Sequence, residues 1–129
     1  MPEQPQAQLQ GAVELVRTDI TMLAAQSRSW AGALFRAVAR KDKDVNIAYN
    51  NFIEIFRQLY TVIKHNAEGT GKIPNWAEKQ AAYDKIFNRV LMGDFMPVTM
   101  LQVYDEFCAD LTKCGIYDLS AGEYVGLSG

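Results

Sequence analysis

The side chains in this sequence that could do chemistry are few and scattered. His65 is the single histidine, so a Ser-His-Asp or Cys-His machine would have to be built around it. It falls where the second predicted helix ends, and an imidazole beside the negative pole of a helix is an ordinary structural placement. Metal binding has no better basis: the chain has no histidine pair, no Cys-x-x-Cys and no Glu-x-x-His on a helix. Asp105, Glu106 and Asp110 form the one acidic cluster within a helix. Glu106 and Asp110 share a face while Asp105 lies about 100° away, which describes a solvated surface and not a ligand set. Gly69-Thr-Gly-Lys72 looks like a fragment of a phosphate loop, but Ile73-Pro74 follows the lysine and the context is helical, so it reads as a connector. No catalytic residue, metal ligand or cofactor is expected, and the chain is read as a non-enzyme.

Charge and apolar patterning say more than reactive groups do. Net charge is −2, which invites neither nucleic acid nor an anionic membrane as a whole. Residues 28–43 nevertheless hold five basic side chains, Arg28, Arg36, Arg40, Lys41 and Lys43, against Asp42 alone. Trp30 and Phe35 are interleaved, a pattern that can follow a phosphate backbone. On a helix Trp30 and Leu34 join the apolar stripe, which leaves the basic residues as a solvated flank. From Asp94 onward six acids (Asp94, Asp105, Glu106, Asp110, Asp118 and Glu123) face only Lys113, so the chain is mildly bipolar. Met92, Met96 and Met100 gather with Phe95 between the third and fourth helices. Thioethers make adaptable binding surfaces and also fill core gaps; the core use is the expectation here.

The elements that position these groups are all helical. Leu9, Val13, Val16, Ile20 and Leu23 repeat at steps of four and three, and the rhythm continues through Ser27, Trp30, Leu34 and Ala37 without a proline. One helix of about 30 residues, roughly 45 Å, is expected, long or kinked near Ser27-Arg28-Ser29, where a fifth helix could instead start. Asp44 can cap a second helix with two neighbouring stripes, Ala48, Phe52, Ile55, Leu59, Val62 and Tyr49, Ile53, Phe56, Tyr60, Ile63. That wide arc marks the most buried helix. Asn75 with Glu78 reads as a capping-box-like start for a third helix that buries Ala82, Tyr83, Ile86, Phe87 and Val90 and stops at Gly93. Pro97 suits the first turn of a fourth, with Leu101, Tyr104, Cys108 and Leu111 facing inward and Gly115 ending it. Residues 120–123 allow one further short turn.

At 129 residues and 49 % apolar composition, one core is affordable and two are not. The expectation is a single all-α domain over residues 1–129, a bundle of four helices, or of five if the first one breaks, with flexible ends at 1–7 and 126–129. Cys108 and Cys114 are six apart on one helix and cannot bridge each other, so both are expected reduced. No apolar run approaches the roughly 20 residues of a membrane span, and the start lacks the pattern of a secretory signal. A cytoplasmic protein without a membrane partner follows.

Function is then expected from surfaces. If the first helix outruns the others, part of its stripe has no partner inside the monomer, and Leu9, Val13, Val16, Ile20 and Leu23 would pack on another chain. The leading expectation is a self-associating interaction module or a small subunit or accessory protein of a larger assembly. The alternatives are a nucleic-acid-associated bundle using Arg28, Arg36, Arg40, Lys41 and Lys43, and a ligand-binding or enzymatic bundle in which Tyr60, His65 and Asp105 converge between the second and fourth helices.

Overall fold

The computed structural model describes residues 5–65 and 71–113, with side chains from Ile20 onward. Four helices follow in order: α1 Pro5–Arg40, α2 Val45–Lys64, α3 Trp76–Leu91 and α4 Pro97–Lys113. The chain is an all-α bundle with no strand among the described residues. Cys114, Gly115, the 120–123 turn and both chain ends (1–4 and 114–129) lie outside the described residues, while Pro5, Gln6 and Ala7, expected in a flexible end, belong to α1.

α1 passes through Ser27, Arg28 and Ser29 without a break, so the extra helix start considered there does not occur. The Ser27 hydroxyl donates to the Ala24 carbonyl at 2.9 Å, using the back-bonding that lets serine sit inside a helix. The expected caps differ more. Asp44 stands at the N-cap of α2 without a side-chain cap bond. Asn75 precedes α3 in the left-handed region at φ 58, and it too makes no cap bond. The capping box with Glu78 is therefore not formed, because a capping residue needs the extended backbone that aims its side chain at the first amides.

α1 and α3 stop in the same way. Lys41 (φ 55) and Gly93 (φ 101) are left-handed. Each sits in a pair of closing bonds, one tighter and one wider than the helix's own: Lys41 N–H to Val38 O and Asp42 N–H to Ala37 O, then Gly93 N–H to Val90 O and Asp94 N–H to Arg89 O. Glycine takes this conformation without steric cost and lysine does not. Replacing Lys41 by glycine is expected to stabilise the bundle by about 1 kcal/mol, read as a higher urea midpoint; an unchanged or lower midpoint would show that the turn is held by something else.

Ring contacts fix the topology. Tyr49, at the start of α2, meets Phe95 just before α4, whereas Tyr60, near its end, meets Trp76 and Tyr83 in the first half of α3. Phe52 and Phe56 touch Tyr104, and Phe56 and Tyr60 touch Phe107. α2 and α4 thus run parallel, with α3 opposed to both. α1 is antiparallel to α2 through the short connection at 41–44, and to α4 through Ser27 and Tyr104. Phe52, Phe56, Leu59 and Ile63 of α2 are fully buried, as the central position of that helix predicts. On the edges of the stripes the periodicity is less exact: Ile55, Val62, Ile86 and Val90 are half-buried, and Ala82 is exposed. α3 is covered on one narrow face only, by Tyr60, Phe56 and Phe107. Of the connector read at Gly69-Thr-Gly-Lys72, Gly69 and Thr70 lie outside the described residues; Ile73, just after Lys72, is buried in the core.

Candidate functional site

Of the predicted interface stripe, the structure describes the side chains of Ile20 and Leu23. Ile20 is 4 % exposed within the monomer's own core, and Leu23 packs partly against that core. Ile20 leaves the set of residues expected on another chain, because α2 reaches far enough to cover it, while Leu23 is half-buried. Met22, Leu23 and Gln26 line a shallow groove with Arg57, Gln58, Thr61 and Val62, so the last turn of α2 stands level with Ile20. Leu9, Val13 and Val16 lie on the part of α1 whose side chains are outside the described residues. By helix length α1 has 36 residues against 20 for α2, a difference of about 24 Å at 1.5 Å per residue.

Arg28 was expected on a solvated basic flank and is instead buried, at 7 % exposure. It follows Ser27, whose side chain is inaccessible and shares a 2.7 Å hydrogen bond with the Tyr104 hydroxyl. With the Ser27 proton committed to the Ala24 carbonyl, Tyr104 is the donor. Cys108 stands one turn further along α4 and is buried. Burial pushes its thiol up to about 12, against the opposing pull of the Tyr104 hydroxyl and the Arg28 charge. Burial likewise holds the Tyr104 hydroxyl far above the usual phenol range. A thiol held protonated and out of solvent is neither a nucleophile nor a ready ligand. The chemical effect of this polar knot is to set the register of α1 on α4, since one turn of slip would strand a buried hydroxyl.

The groups considered for catalysis do not converge. The Tyr60 hydroxyl donates to Asp84 at 2.7 Å and faces α3, while His65 is exposed at the C-cap of α2 and Asp105 is exposed on α4. Asp110 pairs with Lys79 at 3.1 Å, half-buried, which takes it out of the acidic cluster. No group of three or more potential metal ligands occurs among the described residues.

Arg36, Arg40, Lys41 and Lys43 are exposed where α1 gives way to α2. Comparison with known proteins adds no relative. No family model matches the chain, and neither a curated protein nor a solved structure matches it at a significant level. The remaining surface feature is one that periodicity did not signal. The methionines expected together in the core separate into buried Met100, half-buried Met96 and Met92 at 86 % exposure, and Phe95 beside Met92 is half-exposed. The signal available in the sequence was the position of Met92 past the last turn of α3, where no helix can cover it.

Proposed function

We propose that this protein is a non-enzymatic helical interaction module that self-associates, or joins a larger assembly as a small subunit, through the N-terminal part of α1. The observation that carries the reading is length. α2 ends level with Ile20, and α1 continues for fifteen residues before it, from Pro5 to Asp19. Within that extension Leu9, Val13 and Val16 keep the spacing of a helix-packing seam. Ile20 then marks the junction between the seam and the monomer's core. Burying three such side chains from each of two chains contributes about 1.5–3 kcal/mol apiece. That is comparable with an association cost of about 4–15 kcal/mol, so the assembly is a concentration-dependent equilibrium.

The test is the solution mass of the full chain by light scattering over a range of concentrations, beside Val13→Glu/Val16→Glu. The expected result is a dimer or larger species that the double substitution converts to monomer with unchanged helix content. A full chain that stays monomeric at every concentration, with a mass equal to that of the variant, sinks self-association through this seam.

A further inference from the structure

The exposed apolar side chains are not spread over the bundle. Of the seven large ones among the described residues, six (Phe35, Ile47, Leu91, Met92, Phe95 and Val98) lie at one end, and only Met22 lies elsewhere. α1 and α3 finish at this end while α2 and α4 begin there. At 1.5 Å per residue, all six fall within about 8 Å of the level of Arg40, Val45, Leu91 and Pro97. The connection between α3 and α4 is held firmly. The Tyr49 hydroxyl donates to the Asp94 carbonyl at 3.0 Å and accepts from the Met96 amide at 3.2 Å. The Tyr49 ring meets Phe95 edge-on at 4.7 Å. Met92 and Phe95 are therefore presented by a clamped turn, not by a loose loop.

Charge at the same end is positive. Arg36, Arg40, Lys41 and Lys43 are exposed against exposed Asp42 and Asp44. Arg89 and Asp94 neutralise each other at 3.0 Å. A second copy meeting this end with its own would bring like charge to like charge. The apolar side chains come from the ends of all four helices and from the α3–α4 turn, with Met92 also at the rim of an open depression beside Asp84 and Arg89, so they are spread over the end of the bundle and are not gathered along the single groove that a partner helix would fill. Exposed apolar groups with a cluster of cations at the α1–α2 corner of the same end fit a surface that is anionic outside and apolar beneath.

We infer that this end of the bundle docks on an anionic lipid surface. Leu91, Met92 and Phe95 enter the boundary between headgroups and acyl chains, and Arg36, Arg40, Lys41 and Lys43 meet lipid phosphates. No described helix is long and apolar enough to cross a membrane, so the contact lies on the surface. The expectation of no membrane partner came from the missing span and the overall charge of −2, two averages that do not register one cationic, apolar end. The seam on α1 is at the other end of that helix, so the two contacts do not compete.

The test is flotation of the full chain with phosphatidylcholine vesicles, with and without about one-third phosphatidylserine. The expected result is partitioning at least about tenfold stronger on the anionic vesicles, falling several-fold in high salt. Leu91→Ser/Met92→Ser and, separately, Arg36→Glu/Arg40→Glu each weaken it by about tenfold or more. All four positions are exposed, and circular dichroism confirms that the variants stay helical; Met92→Ser alone replaces the first, and Lys43→Glu alone the second, where either does not. Val13→Glu/Val16→Glu retains the vesicle affinity of the isolated unit, which separates this inference from the self-association reading. Absence of binding, or binding indifferent to phosphatidylserine and to the tip substitutions, overturns it. So does a lowered solution mass of the tip variants without vesicle binding, which would assign the tip to a protein contact.

Discussion

Replacing Phe56 by alanine is expected to lower unfolding stability by about 3–5 kcal/mol and the melting temperature by about 10–20 °C. Phe56 is fully buried on α2, where the other helices' rings converge. Its ring lies 5.0 Å from Phe87 of α3, 5.1 Å from Tyr104 and 5.7 Å from Phe107 of α4, and 5.6 Å from Phe52. Truncation forfeits the transfer term of a phenyl ring and opens a void that four aromatic neighbours are too rigid to fill. For a domain whose whole margin is about 5–15 kcal/mol this is a large share. Phe56→Leu, which keeps most of the volume, is expected to cost less than half as much. Chemical denaturation followed by circular dichroism measures both. A loss below about 1.5 kcal/mol for Phe56→Ala would mean that the bundle collapses around the site and that the core is not close-packed.

Alkaline pH is the second strong lever. Cys108, Tyr49, Tyr60, Tyr83 and Tyr104 all hold their protons more tightly in the fold than the free groups do, and burial is the leading cause in each. For Tyr60 the Asp84 carboxylate that accepts its hydrogen bond adds to the effect. The thiol of an unfolded chain ionises near 9.0, and that of folded Cys108 only near about 12. Between those values the unfolded chain binds fewer protons than the folded one, so stability falls as pH rises. The contribution is fully present below pH 9 and is lost on the way to pH 12. At about 1.4 kcal/mol per pH unit, Cys108 alone withdraws roughly 2–3 kcal/mol by about pH 11. The phenols join from about pH 10. Urea midpoints at pH 8, 10 and 11 should fall steadily, with Cys108→Ala flattening the first part of the decline and leaving the phenol-driven part. A midpoint constant from pH 8 to 11 would contradict the burial of these groups.

The all-α class, the four helices and the buried centre of α2 were legible in the residues, because helix formation and the 3.6-residue stripe are local properties. Pro97 and Gly93 marked boundaries for the same reason: one fixes φ and the other takes a left-handed backbone at the end of α3. Asn75 shows the limit of that logic, since its residue type suits an N-cap and its backbone, at φ 58, does not.

Two kinds of information needed the tertiary structure. Periodicity gives the angle of a side chain about its own helix, not which neighbour covers that angle or how far along the axis the cover extends. Ile20 and Leu23 share a stripe with Leu9, Val13 and Val16, and only the packing showed that Ile20 belongs to the monomer's core, with the last turn of α2 level with it. Arg28 looked solvated by charge and is enclosed because α4 lies over it, alongside Ser27, Tyr104 and Cys108. The clustering of Phe35, Ile47, Leu91, Met92, Phe95 and Val98 joins positions up to 63 residues apart in the chain. By itself the sequence determined where the helices lie and which face of each turns towards the core. The antiparallel assembly decided which of the described apolar groups stay exposed, since burial is a property of neighbours and neighbours are set by packing.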